Sequence, residues 1–172
     1  ARKMNALGSK VTGVRRSFME KPEYLEGVYQ MNALEELLPD ADIVVCTLPE
    51  TTETYHLLDE RKLRLMKPEA VLINIGRGSL IPTQDLIRVL EENIIAGAAI
   101  DVAEQEPLPE DSGLWKAANL IITPHVAGNY HTQDILDKAV KIAGENLRAF
   151  LEGKALRNEV DFTTGYRKQG SD

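Results

Sequence analysis

The sequence holds one cysteine in 172 residues, Cys46, and one tryptophan, Trp115. A lone cysteine excludes an internal disulfide framework and suits a reducing compartment. No apolar run approaches the roughly 18 residues of a membrane span, and no secretory leader pattern is present. Basic charge is not in surplus. With 27 acidic against 20 basic residues, the net charge is -7 and the pI near 5.1, which argues against non-specific nucleic-acid binding. Internal repeats and low-complexity tracts are lacking as well. So is an initiator methionine: residues 1–8 carry a helical pattern stopped by Gly8, and the chain reads as a fragment that begins inside a helix. These absences leave a cytoplasmic enzyme or a cytoplasmic binding module.

What is present is an alternation of short apolar runs with amphipathic segments. Strands are expected at residues 10–14, near 28–29, and at 43–48, 70–75, 96–102 and 120–123. Helices are expected at 32–38, where Asn32 and Glu35 have the spacing of a capping box, and at 59–67. A further helix follows Thr83, read as its cap, with Leu86, Ile87 and Leu90 at helical spacing. A long helix is expected over 132–151, with Leu136, Ala139, Val140, Ala143, Leu147 and Phe150 on its apolar face. The strands are continuous apolar runs without polar alternation, so they predict a parallel sheet covered on both faces, in an α/β fold. Residues 156–172 are polar and poorly periodic, either a disordered tail or a segment that docks elsewhere.

Three residues stand just past successive strand ends: Arg77, between Gly76 and Gly78, then Glu106, then His125. In an open α/β sheet, ligands bind beyond the carboxyl ends of the strands. Taken singly, each has an ordinary use in a turn; their shared placement is what makes a site. A histidine beside a carboxylate can give a proton to a carbonyl oxygen or take one from a hydroxyl. An arginine can grip a carboxylate with two parallel hydrogen bonds. The chemistry implied is hydride transfer at the carbon of a 2-oxo or 2-hydroxy acid, and the hydride must come from a cofactor. His56 and His131 show no comparable setting and read as loop or helix-start residues.

The blocks Asn74-Ile-Gly-Arg-Gly78, Gly97-Ala-Ala-Ile-Asp-Val102 with Glu106-Pro-Leu-Pro109, and Thr123-Pro-His-Val-Ala-Gly128 resemble the signature blocks of the D-isomer-specific 2-hydroxyacid dehydrogenases. The spacings agree as well, 29 residues from Arg77 to Glu106 and 19 from Glu106 to His125. The resemblance covers about residues 1–158. It implies a Rossmann-like doubly wound parallel sheet, with a nucleotide-binding domain at 1–153 and a C-terminal tail at 154–172 that would return to a substrate domain. It further implies that Arg77 binds the substrate carboxylate, that His125 is the acid/base and that Glu106 tunes it. Asp101 would contact the nicotinamide amide, and Ile75, Gly76, Arg77 and the turn from His125 to Gly128 would line the cofactor. Leu48 and Thr54 match the family's loop near the cofactor phosphates and adenosine.

The chain departs from the family's pattern in one large respect: the first strand and the Gly-x-Gly-x-x-Gly loop that follows it are not in this sequence. A smaller departure is more informative. Where an acidic residue after the second strand would hold the adenosine ribose and favour NAD, this chain has Arg15-Arg16-Ser17. Two guanidiniums and a hydroxyl suit a 2′-phosphate, so NADP is expected as the preferred cofactor over NAD. By resemblance the substrate is a small 2-oxo acid such as glyoxylate or hydroxypyruvate. Phosphoglycerate oxidation with NAD is the metabolic alternative, and a nucleotide-sensing corepressor-like scaffold of the same fold is the non-metabolic one. A homodimer through the nucleotide-binding domain is expected, with the loop 107–115 as a contributor.

Overall fold

The computed structural model describes residues 1–17, 20–128 and 133–168. In chain order its elements are α1 (Arg2–Ala6), β1 (Thr12–Val14), β2 (Gly27–Tyr29), α2 (Leu34–Leu37), β3 (Ile43–Cys46), α3 (Glu60–Leu63), β4 (Val71–Asn74), α4 (Thr83–Glu91), β5 (Gly97–Ile100), β6 (Leu120–Ile122), α5 (Gln133–Leu151), β7 (Val160–Asp161) and β8 (Tyr166–Arg167). His131 and the expected helix start at 132 lie outside the described residues.

The four strands β3, β4, β5 and β6 pair in that order, all parallel, with Ile43 opposite Val71, Val71 opposite Gly97 and Ala98 opposite Leu120. This is the parallel α/β sheet that the apolar runs predict, and it puts the carboxyl ends of all four strands along one edge. β1 and β2 form a separate parallel pair, and β7 with β8 an antiparallel hairpin. The core sits on one side of the main sheet. Leu72 and Ile100 point into it from the strands, and Leu63, Leu86, Val89 and Leu90 meet them from α3 and α4.

The expectation of a sheet covered on both faces does not hold among the described residues. Alternate positions on β3 and β6 leave Ile43, Val45 and Ile121 exposed, since α3 and α4 both pack on the other face. The long helix α5 is confirmed, but none of its residues is buried. Its apolar stripe, including Val140, Leu147 and Phe150, faces outward. The tail is not disordered over 160–167, where it closes into the β7–β8 hairpin.

Two capping expectations are also corrected. Asn32 and Glu35 form no capping box; a 3-10 turn at Met31–Ala33 runs directly into α2 without a side-chain cap. The Glu35 carboxylate instead takes both Nη atoms of Arg61, at 2.7 and 2.5 Å, a charge-assisted pair stronger than a bond to a neutral backbone N–H. Thr83 does not cap α4 but is its first residue, after Pro82. Its N–H donates to Glu104 Oε2 at 2.5 Å, so a carboxylate from a distant loop serves the helix N-terminus, where negative charge is favoured.

Candidate active site

Arg77 leaves the end of β4 through a turn that only glycines could make. A Cβ on Gly76 would lie 2.7 Å from the Leu48 carbonyl oxygen, and one on Gly78 would lie 1.9 Å from the Ala103 carbonyl. Both neighbours are backbone and cannot swing away. The Gly-Arg-Gly sequence is therefore pinched between the chain segments that follow β3 and β5, and Arg77 stands between them. Asn74, buried at the last position of β4, folds this turn from inside: its Oδ1 accepts the Gly76 N–H and its Nδ2 donates to the Arg77 carbonyl. Asn74 had no role in the sequence reading, although an amide side chain just before a tight turn is a recognisable device for closing one. The exposed Arg77 guanidinium donates one N–H to the Gly76 carbonyl.

Glu106 and His125 come together as expected. The His125 Nδ1 and Glu106 Oε2 are 2.7 Å apart, and Glu106 Oε1 accepts the Ala103 N–H. Burial raises the Glu106 carboxyl, but the bonds from His125 and Ala103 and the His125 charge outweigh it, and the group lies below its ordinary value. The Ala103 unit that abuts Gly78 also fixes Glu106, so the Arg77 turn and the Glu106 loop are built on one another.

His125 adopts a left-handed backbone, with φ of 54°, a conformation uncommon outside glycine. Asp101, buried at the end of β5, stabilises it. The Asp101 carbonyl accepts the His125 N–H at 2.8 Å. Its Oδ1 accepts Thr123 Oγ1–H and the Val126 N–H, and its Oδ2 accepts the Ala127 N–H. Burial raises the Asp101 carboxyl, yet the bonds from Thr123, Ala127 and Val126 hold it below its ordinary value.

His56 corrects the sequence reading, because it too has a carboxylate partner. Its Nε2 lies 2.7 Å from Glu104 Oε1, and it also has a positive φ of 51°. Glu104 is therefore shared between His56 and the start of α4. No local pattern could reveal this pair, since the two residues are 48 positions apart.

The remaining expected positions fall into two groups. Leu48, Ile75 and Gly76 lie at the same sheet edge as Arg77, with Ile75 exposed, while Gly128 stands in open space beyond the His125 turn. Arg15, Arg16 and Ser17 follow β1, and Arg15 Nη2 donates to Ser17 Oγ at 3.2 Å. Arg16 borders a groove of about 360 Å³ together with Gln30, Asn32, Glu53, Thr54 and Tyr166. The Thr54 hydroxyl is occupied in holding its own loop: it donates to the Pro49 carbonyl at 2.7 Å and accepts the Thr51 N–H at 2.9 Å. Tyr166, which the sequence reading did not single out, comes from the C-terminal hairpin.

The donor set fits a dinucleotide at its two ends. A groove of this volume lies within the range of about 300–1,000 Å³ typical of small-molecule sites; Arg16 lines it and is apt for an anion there, with Arg15 and Ser17 its chain neighbours. The edge at Ile75, Asp101 and His125 is apt for a redox ring beside an acid/base. Among the described residues no cluster of metal-ligating side chains occurs, and no helix is long and apolar enough to cross a membrane.

Comparison with known proteins agrees with this fold. Residues 1–127 match the family model for the NAD-binding domain of D-isomer specific 2-hydroxyacid dehydrogenases. A glyoxylate reductase of Thermococcus gammatolerans is 39% identical over 155 residues, covering 90% of this chain and 45% of that protein. The chain spans about half the length of the curated relatives it matches. Among solved structures, the NADPH-dependent glyoxylate/hydroxypyruvate reductase of Sinorhizobium meliloti, in complex with NADP and sulfate, superposes with a TM-score of 0.84 at 30% identity, over 96% of this chain and 52% of that one. A D-isomer specific 2-hydroxyacid dehydrogenase family protein of Aeromonas salmonicida gives a TM-score of 0.82 at 40% identity, over 94% and 50%.

Proposed function

The chain belongs to the D-isomer specific 2-hydroxyacid dehydrogenases, and from that premise we propose that it carries the nucleotide-binding and acid/base half of an NADP(H)-dependent reductase for a small 2-oxo acid of the glyoxylate or hydroxypyruvate type. The observation that carries the proposal is the His125–Glu106 pair, 2.7 Å apart, at the end of a strand two places along the sheet from the one that ends in Arg77. The named relatives that reduce glyoxylate, and the NADP found in the Sinorhizobium neighbour, support the substrate class and the cofactor.

In this reading Arg77 holds the substrate carboxylate through its guanidinium fork. Glu106 accepts the Nδ1 proton of His125, which turns Nε2 toward the substrate. In the reductive direction Nε2 gives its proton to the carbonyl oxygen, and in the oxidative direction it takes one from the hydroxyl. When bound, the nicotinamide supplies or accepts the hydride. Carbonyl carbon plus hydride and oxygen plus proton give the 2-hydroxy acid, so the step balances. Asp101 Oδ2, with one bond accepted from Ala127, has a lone pair left for the carboxamide of the ring. Arg15, Arg16 and Ser17 hold the 2′-phosphate.

The domain division at residue 153, a homodimer that includes the exposed Trp115, and a cytoplasmic location belong to the same proposal. Cys46 is buried, and burial pushes its thiol up to about 12, so it is protected from oxidation chemistry that needs a thiolate.

The test is steady-state reduction of glyoxylate and hydroxypyruvate by the intact protein, with NADPH and with NADH. Turnover with NADPH, abolished by His125→Asn, is expected. Tight NADPH binding without turnover of any 2-oxo acid would favour a nucleotide-sensing scaffold instead.

A further inference from the structure

The family resemblance assigns the C-terminal segment only a return to a substrate domain, and in the structure residues 160–167 form a hairpin. β7 and β8 pair with Asp161 opposite Tyr166. The turn between them is closed by the Asp161 side chain, which accepts the Thr163 N–H, and by the Gly165 N–H donating to the Asp161 carbonyl. Gly165 takes a φ of 70°, and a Cβ there would stand 3.1 Å from Thr51 Cγ2. The hairpin tip therefore rests against the loop that Thr51 and Thr54 close. This contact delivers Tyr166 to the groove beside β1, where its ring lies under the Arg16 guanidinium carbon at 3.8 Å from ring centre to carbon.

We propose that this hairpin is part of the nucleotide site, with Tyr166 acting as a specificity-determining residue that seats Arg16 for the 2′-phosphate of an adenosine nucleotide. The inference rests on the reading of the chain as NADP(H)-binding and adds a residue about 150 positions away from the arginines. The physical argument has three parts. A guanidinium whose flat face is occupied by an aromatic ring keeps its N–H groups in the plane, directed outward, where an anion can use them. An arginine so held loses less side-chain freedom when the anion arrives, so more of the interaction appears as affinity. Finally, Arg16 is the cation among the groove's lining residues and Tyr166 lines the groove with it, whereas the Glu53 carboxylate there repels an anion, so the seating of Arg16 matters the more.

The experiment measures equilibrium binding to the intact protein by calorimetry, using adenosine 2′,5′-bisphosphate and 5′-AMP as probes, with NADPH and NADH beside them. Wild type is compared with Tyr166→Ala, Tyr166→Phe and Arg16→Ala. Tyr166→Ala is expected to weaken the bisphosphate and NADPH about tenfold, to affect 5′-AMP and NADH much less, and to be rescued by Tyr166→Phe, which keeps the ring. If Arg16→Ala weakens the bisphosphate and Tyr166→Ala does not, the hairpin is no part of the site and the inference falls while the cofactor reading stands. If Tyr166→Ala weakens all four ligands equally, Tyr166 is a general lid and not a specificity residue, which also overturns it. If wild type binds the bisphosphate no tighter than 5′-AMP, the cofactor reading itself fails, and this inference with it.

Discussion

Asp101 holds His125 in its left-handed turn: the Asp101 carbonyl accepts the His125 N–H, and the Asp101 carboxylate accepts the N–H groups of Val126 and Ala127 just beyond. Asp101→Asn keeps the size but places an NH2 group against one of these donors. A buried unsatisfied pair of this kind costs about 1–3 kcal/mol. The variant is expected to melt earlier by thermal denaturation and, in the intact protein, to lose turnover because His125 is no longer aimed. A variant with full stability and reduced turnover would assign Asp101 to the cofactor alone.

The acid limb of stability follows from the same carboxylates. Asp101 and Glu106 both lie below their ordinary values, 3.8 and 4.5. A group lowered in the folded state contributes stability that is fully present above its unfolded value and is lost as pH falls through its folded value. The melting temperature should therefore hold steady at neutral pH and decline as the pH drops below about 4.5. Glu106→Gln should lower the melting temperature at neutral pH and flatten part of that decline. A decline of unchanged depth in the variant would remove Glu106 from the account.

Much of this arrangement was legible in the sequence, and the boundary is physical. The parallel strands show as apolar runs because burial acts residue by residue along the chain. Arg77, Glu106 and His125 show because the carboxyl edge of a parallel sheet is fixed by strand order. The Glu35–Arg61 fork, the sharing of Glu104 by His56 and Thr83, and the Arg16–Tyr166 stack do not show. Each joins side chains from segments far apart, where no periodicity or cap spacing records the meeting. The uncovered apolar face of α5 was equally hidden, because a stripe at helical spacing says that a face is apolar and not what lies against it.

Gly78 offers a sharp test of how the Arg77 turn is built. Its missing side chain makes room for the Ala103 backbone, 1.9 Å from where a Cβ would stand. Gly78→Ala must push apart the segments after β4 and β5, and overpacking of this sort costs about 3 kcal/mol where the neighbour cannot yield. Gly8→Ala serves as the control for backbone conformation, since Gly8 has a positive φ of 89° and no neighbour within 4 Å. Chemical denaturation should show a much larger loss at Gly78. Equal losses would mean that the close approach is relieved by movement of the loop.

Arg77→Lys keeps the charge and removes the planar fork. If Arg77 grips a carboxylate by two bonds, the KM for a 2-oxo acid should rise about tenfold to a hundredfold, while the Kd for the nucleotide stays put. Steady-state kinetics beside a nucleotide titration separates the two. A change in nucleotide affinity of the same size would place Arg77 on the cofactor.

Glu104 and Glu106 sit two residues apart on one loop and reach in different directions, Glu104 to His56 and the first N–H of α4, Glu106 to His125 and Ala103. The first glutamate ties the loop to the body of the domain, and the second works from it. Burial raises the Glu104 carboxyl, but the Thr83 and His56 bonds leave it below its ordinary value, as expected for an ionised anchor. His56→Ala removes one of those bonds, and Glu104→Gln weakens both. Each is expected to lower kcat of the intact protein by about tenfold or less, since neither touches the substrate, and each should cost about 1 kcal/mol of stability. His56→Gln, which keeps a donor near the carboxylate, should recover most of both. The double variant His56→Ala with Glu104→Gln then decides the matter: if the two residues act through one contact, its loss is no greater than that of Glu104→Gln alone. Fully additive losses would mean that His56 and Glu104 serve the loop independently.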